Sequence, residues 1–142
     1  MKATSIDHIC LAVKNLEQAK KIYEDTLGLE LAQEYVAESE KIKVARYYLG
    51  DLALELMEST SPDGDVAKFI KKKGEGVFLI SYRTDDVEKG LKELKTKGKK
   101  LIDDKPRELF GNRYAFIMPP TETCGVLTEI LDGTYVNEEN QS

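Results

Sequence analysis

A repeat constrains this chain more than any other feature of its sequence. Residues 5–13 (SIDHICLAV) alternate as a strand does, placing Ile6, His8, Cys10 and Ala12 on one face. Asn15 then offers an N-cap, Leu16, Ala19, Tyr23 and Leu27 follow at helical spacing, and Gly28 stands where a C′ glycine ends a helix. Strands are predicted at 29–36, 42–49 and 52–58, the last two joined by the tight turn Gly50-Asp51. The plan then recurs. A strand at 77–84 leads to a cap at Thr84 or Asp85, a helix carrying Val87, Leu91 and Leu94, and the stop Gly98. A short strand near 100–102, a loop with Pro106, Gly111 and Asn112, and strands at 114–118 and 125–131 complete the second copy. Shifting the first strand and helix by about 71 positions sets Ile9 on Ile80, Leu16 on Val87 and Tyr23 on Leu94.

The implied fold is α+β: two βαβββ modules whose curved sheets form a half-barrel around a cleft. One domain over 1–142 is expected, with module 1 at about 5–58, a connector at 59–76, module 2 at about 77–131 and a polar tail at 132–142. In the connector, Ser61-Pro62-Asp63 signals a turn, and Val66, Phe69 and Ile70 line a short helix. A chain of 142 residues is long enough to bury a core without covalent staples.

A net charge of -5 argues against general nucleic-acid binding, which calls for a basic stripe. Lysines do cluster at Lys71-Lys72-Lys73 and from Lys95 to Lys100, at the ends of predicted helices, where cations suit the helix dipole. A landing strip for an anionic cofactor is the alternative use of such runs. No apolar run is long enough to span a bilayer, and the N-terminus lacks the apolar core of a signal peptide. The two cysteines, Cys10 and Cys124, do not suggest a disulfide framework, so a cytoplasmic setting is expected.

Three polar residues interrupt otherwise apolar strand faces. His8, the single histidine, shares a face with Ile6, Cys10 and Ala12; Glu55 lies among Ala53 and Met57; Glu129 alternates with Leu127 and Leu131. A carboxylate on such a face needs a cation, hydrogen bonds or a raised pKa. Taken singly, each has an ordinary reading as a satisfied core histidine or a solvated glutamate. Together they point to a shared site, because Glu55 and Glu129 both occupy the last strand of their copy, 74 positions apart.

The phrase HICLAVKNLEQAKKIYEDTLGLEL resembles the opening module of the vicinal-oxygen-chelate (glyoxalase/bleomycin-resistance) superfamily. LELMESTSPDGDVAKFIKKKGEGV, LIDDKPRELFGNRYAFIMPP and GVLTEIL are similar to methylmalonyl-CoA epimerases within it. The resemblance implies a divalent metal (Co²⁺, Mn²⁺, Mg²⁺ or Zn²⁺) held by His8, Glu55 and Glu129. The family's second histidine is replaced here by Leu79, which leaves the set incomplete. It further implies an isomerase that abstracts a proton next to a thioester carbonyl, with Glu129 as one base and Glu40 as a candidate for the other. Without a cation, backbone N–H groups or Arg83 would have to stabilise the enolate. The expected partner is a small molecule, an acyl-CoA by resemblance; a homodimer is expected, and neither nucleic acid nor membrane. A lactoylglutathione lyase-like enzyme and a non-catalytic small-molecule binder of the same superfamily are the alternatives.

Overall fold

The structure is a computed structural model and describes residues 1–133; the expected polar tail lies, beyond Gly133, outside the described residues. The elements run β1 (Ser5–Ala12), α1 (Leu16–Leu27), β2 (Leu31–Ala37), β3 (Ile42–Leu49), β4 (Leu52–Ser59), α2 (Asp65–Lys73), β5 (Gly76–Arg83), α3 (Val87–Thr96), β6 (Arg107–Leu109), β7 (Asn112–Met118) and β8 (Leu127–Asp132). The architecture is α+β and twice βαβββ. Two compact units result, His8–Phe78 and the described residues from Leu79 to Gly133 joined by Met1–Asp7.

Within the first unit the strand order is β2-β3-β4-β1, and the second repeats it as β6-β7-β8-β5. In both copies the first strand runs parallel to the last, while the other pairings are antiparallel. The parallel pairing needs a long crossover, which the intervening helix and hairpin supply. The duplication reaches individual hydrogen bonds. Val13 N–H bonds to Met57 O at 2.9 Å, and the equivalent Thr84 N–H bonds to Leu131 O at 2.9 Å. Glu58 Oε1 accepts from Leu16 N–H at 2.7 Å, and Asp132 Oδ2 accepts from Val87 N–H at 2.9 Å. Each last strand therefore supplies a carboxylate to an otherwise orphaned donor at the start of its helix.

One helix face packs on one sheet face in each unit. Leu16 and Ala19 of α1 meet Ala45, Tyr47 and Leu56; Val87, Leu91 and Leu94 of α3 meet Ala115, Ile117 and Ile130. The helix starts as the sequence implies at Asn15, whose side chain accepts from Gln18 N–H at 3.0 Å, and it ends at Gly28 with φ +66°, in the left-handed region. Of α3, the cap is Asp86 rather than Thr84 or Asp85, because its Oδ1 is the one that reaches Lys89 N–H, at 3.0 Å. The connector helix forms as α2.

Several strand limits differ from the expected ones, and β7 begins at Asn112 rather than 114. β2 begins at Leu31 rather than 29. No strand forms at 100–102: Ile102 and Asp103 each donate to β7 carbonyls, but consecutive donors do not make a ladder, and Pro106, which has no N–H, delays pairing until Arg107. β8 starts at Leu127, since Pro120–Glu122 turns as a 3₁₀ helix and Gly125 takes φ +91°. Among the described residues no helix is long and apolar enough to cross a membrane.

Candidate functional site

The site grows from strand register. β1 and β4 pair so that Cys10 lies beside Glu55, and the β3–β4 hairpin sets Arg46 on the other side of Glu55. One row of side chains thus reads Cys10, Glu55, Arg46, and Gln33 of β2 extends it. Alternation turns this row, with His8, away from the face that packs on α1. His8, Arg46 and Glu55 are 3%, 1% and 1% exposed, so every charge here is desolvated and must be met locally.

Glu55 meets that demand by dividing its oxygens. Oε2 accepts from Arg46 Nη1 at 2.6 Å and from Tyr35 O–H at 3.0 Å. Oε1 faces the opposite way along the row, 3.5 Å from Cys10 Sγ and 3.7 Å from His8 Nε2. Arg46 is itself fixed by Tyr48, its Nε donating to the Tyr48 hydroxyl at 3.1 Å and its guanidinium lying 5.1 Å from the ring centroid. Burial works to raise the Glu55 pKa, but His8, Arg46 and the hydrogen bonds from Arg46 and Tyr35 outweigh it and hold the carboxyl below its usual range. Burial likewise works against the Arg46 charge, and the adjacent carboxylate more than restores it. The pair is ionised. Among the described residues, the Gln33 Oε1 at the far end of the row is a buried oxygen with no hydrogen-bond partner.

In the other unit the same register recurs. β5 and β8 pair Ser81 with Glu129, and Ser81 O–H donates to Glu129 Oε1 at 2.6 Å. Ser81 is the counterpart of Cys10, and Glu129 of Glu55. Leu79, the counterpart of His8, is 3% exposed and brings no donor atom. Arg83, considered as an enolate-stabilising group, is held instead by Asp7, with Nη2 and Oδ1 2.6 Å apart.

Of the residues singled out in the sequence, His8 and Glu55 come together. Glu129 belongs to the other unit, where it is 4% exposed and bonded to Ser81. Glu40 ends a 3₁₀ turn, Glu38–Glu40, ahead of β3 and stands outside the His8–Cys10–Glu55 cluster. Two members of the site were not singled out. Cys10 shares a face with His8 in sequence, where it reads as a small apolar neighbour. Arg46 was readable from the Gly50-Asp51 turn, which pairs Leu49 with Leu52 and hence Arg46 with Glu55.

For a divalent cation the donor chemistry fits. His8 nitrogen, Cys10 sulfur and Glu55 oxygen all lie within 4.8 Å of one another, and an imidazole, a thiol and a carboxylate form a borderline-soft set. Residues 7–116 match the family model of the Glyoxalase/Bleomycin resistance protein/Dioxygenase superfamily. The chain belongs to this superfamily. Its sequence is 36% identical over 128 residues to the Bacillus subtilis (strain 168) protein YqjC, covering 89% of this chain and 91% of that one. It is 25% identical over 126 residues to the mitochondrial methylmalonyl-CoA epimerase of Bos taurus, covering 88% and 72%. Among solved structures, a methylmalonyl-CoA epimerase in complex with methylmalonyl-CoA and NH4+ superposes with a TM-score of 0.87 at 32% identity, over 95% of this chain and 98% of that one. The superfamily fold and the kinship with epimerases expected from the sequence are both borne out.

Proposed function

We propose that the protein is a methylmalonyl-CoA epimerase-like isomerase that abstracts a proton next to the thioester carbonyl of a small acyl-CoA. One observation carries this reading: the likeness to the epimerase–methylmalonyl-CoA complex extends over 95% of the chain. Epimerisation requires one base to take the α-proton from one face and a second acid to return a proton to the other. Glu129 is assigned the first role and Glu40 the second. Ser81 supports the assignment of Glu129, because its hydrogen bond steadies the carboxylate at a position that burial would otherwise disfavour. When bound, a divalent cation would supply polarisation of the carbonyl or carboxylate oxygens; His8, Glu55 and Glu129 are the proposed holders, with Leu79 in the place of a fourth. A homodimer in the cytoplasm is part of the same proposal.

The test is α-proton exchange. Methylmalonyl-CoA is incubated with the protein in D₂O, with and without Co²⁺ or Mn²⁺, and deuterium at the α-carbon is read by mass spectrometry. Wild type is expected to exchange, and Glu129→Gln to lose about 10²–10⁴-fold, the usual worth of a positioned acid–base group. Exchange by Leu79→His but not by wild type would overturn the assignment. Absence of exchange in both, in a protein that still binds acyl-CoA, would place the chain among non-catalytic binders. Leu79 favours that second reading, since it offers no donor atom where the resemblance implies a metal-binding histidine.

A further inference from the structure

We infer that Cys10 joins His8 and Glu55 as a metal ligand, an addition to the holders proposed above, and that the thiolate-bearing His8–Cys10–Glu55 cluster of the first unit is selective for borderline cations such as Zn²⁺ and Co²⁺ over Mn²⁺ and Mg²⁺. The three donor atoms lie within 4.8 Å of one another, and β1–β4 register puts the cysteine and the carboxylate side by side.

Charge makes the thiolate matter. Arg46 sits on Glu55 Oε2, so the carboxylate is already neutralised before any cation arrives. With neutral His8 and Glu55 alone, a divalent cation would leave two uncompensated positive charges among residues 1–3% exposed. Cys10 as thiolate removes one of them. Binding therefore exchanges the Cys10 proton, which leaves to solvent, for a sulfur–metal bond. The same arrangement orients the set: Arg46 and Tyr35 lock Oε2, which turns Oε1 toward Cys10 Sγ and His8 Nε2. Hard Mg²⁺ and Mn²⁺ gain little from sulfur, whereas Zn²⁺ and Co²⁺ accept thiolate, imidazole and carboxylate together.

The experiment titrates Co²⁺ and Zn²⁺ into the full chain in a Cys124→Ser background, because Cys124 is the chain's other cysteine and is exposed. A near-ultraviolet sulfur-to-cobalt charge-transfer band is expected to rise and saturate at one equivalent, and Zn²⁺ should abolish it by displacement. Cys10→Ser should lose the band and bind Zn²⁺ at least about 10–100-fold more weakly, the loss that outer-shell partners alone can cause. Mn²⁺ affinity should stay nearly unchanged. Thermal unfolding of apo Cys10→Ser alongside wild type separates loss of a ligand from loss of the fold. Cobalt bound without the band, no cobalt bound at all, or Zn²⁺ affinity unaltered by Cys10→Ser would overturn the inference. The readout does not need turnover, so an active epimerase with no band refutes this site alone, and a band without turnover refutes only the epimerase reading.

Discussion

Arg46→Met is the perturbation whose consequence the structure sets most sharply. Arg46 and Glu55 are each 1% exposed and 2.6 Å apart, so the variant leaves an ionised carboxylate in the interior that keeps Tyr35 and Cys10 as donors and His8 at 3.7 Å but loses its guanidinium partner. Breaking one side of a buried pair costs about 3–5 kcal/mol. Against a total of roughly 5–15 kcal/mol for a domain, that is a large share. At about 2–4 °C per kcal/mol for chains near this size, Tm should fall by roughly 6–20 °C. Arg46 also loses its hydrogen bond and ring contact with Tyr48, and Tyr48→Phe, which keeps the ring, isolates that part. The decisive comparison is a double-mutant cycle by urea unfolding. Glu55→Gln strands the Arg46 charge and should also be costly, while Arg46→Met/Glu55→Gln removes both charges and should recover much of the loss. The variant should further be rescued by Zn²⁺, which would replace the missing positive charge, by about 2.7 kcal/mol at a hundredfold excess over Kd. A Tm change below about 2 °C in Arg46→Met, or a coupling energy below about 0.5 kcal/mol, would refute the reasoning.

Two further expectations follow from other parts of the fold. Tyr47 is fully buried and donates to Glu24 Oε2 at 2.8 Å; burial first, then that carboxylate, raise its pKa. Its stabilising contribution is fully present below the unfolded tyrosine value near 10 and is lost as pH rises from there toward the folded value, because only the unfolded chain then releases the proton. Urea unfolding of wild type and Tyr47→Phe between pH 8 and about 11 should show the steeper decline in wild type, and parallel curves would refute the assignment. Asn15→Ala and Asp86→Ala remove equivalent N-caps from α1 and α3 and should each cost about 1 kcal/mol by denaturant titration. A loss confined to one of them would mean that the two helix starts are not energetically alike.

The sequence by itself determined the duplicated βαβββ plan, the Asn15 and Gly28 helix limits and the placing of His8, Glu55 and Glu129 on otherwise apolar strand faces, because alternation, helical spacing and turn chemistry are local properties. It also contained the Arg46–Glu55 pairing, since a two-residue turn at Gly50-Asp51 sets the register of the whole hairpin. The start of β6 was not legible: the backbone of 100–106 is shaped by β7 carbonyls and by Pro106 rather than by its own pattern. Tertiary structure alone decided that Cys10 lies against Glu55 and Ser81 against Glu129. Those pairs join parallel strands separated by a helix and a hairpin, and no short-range rule fixes the register of a crossover. The same crossover register turned an apparently small apolar cysteine into the third donor of a site.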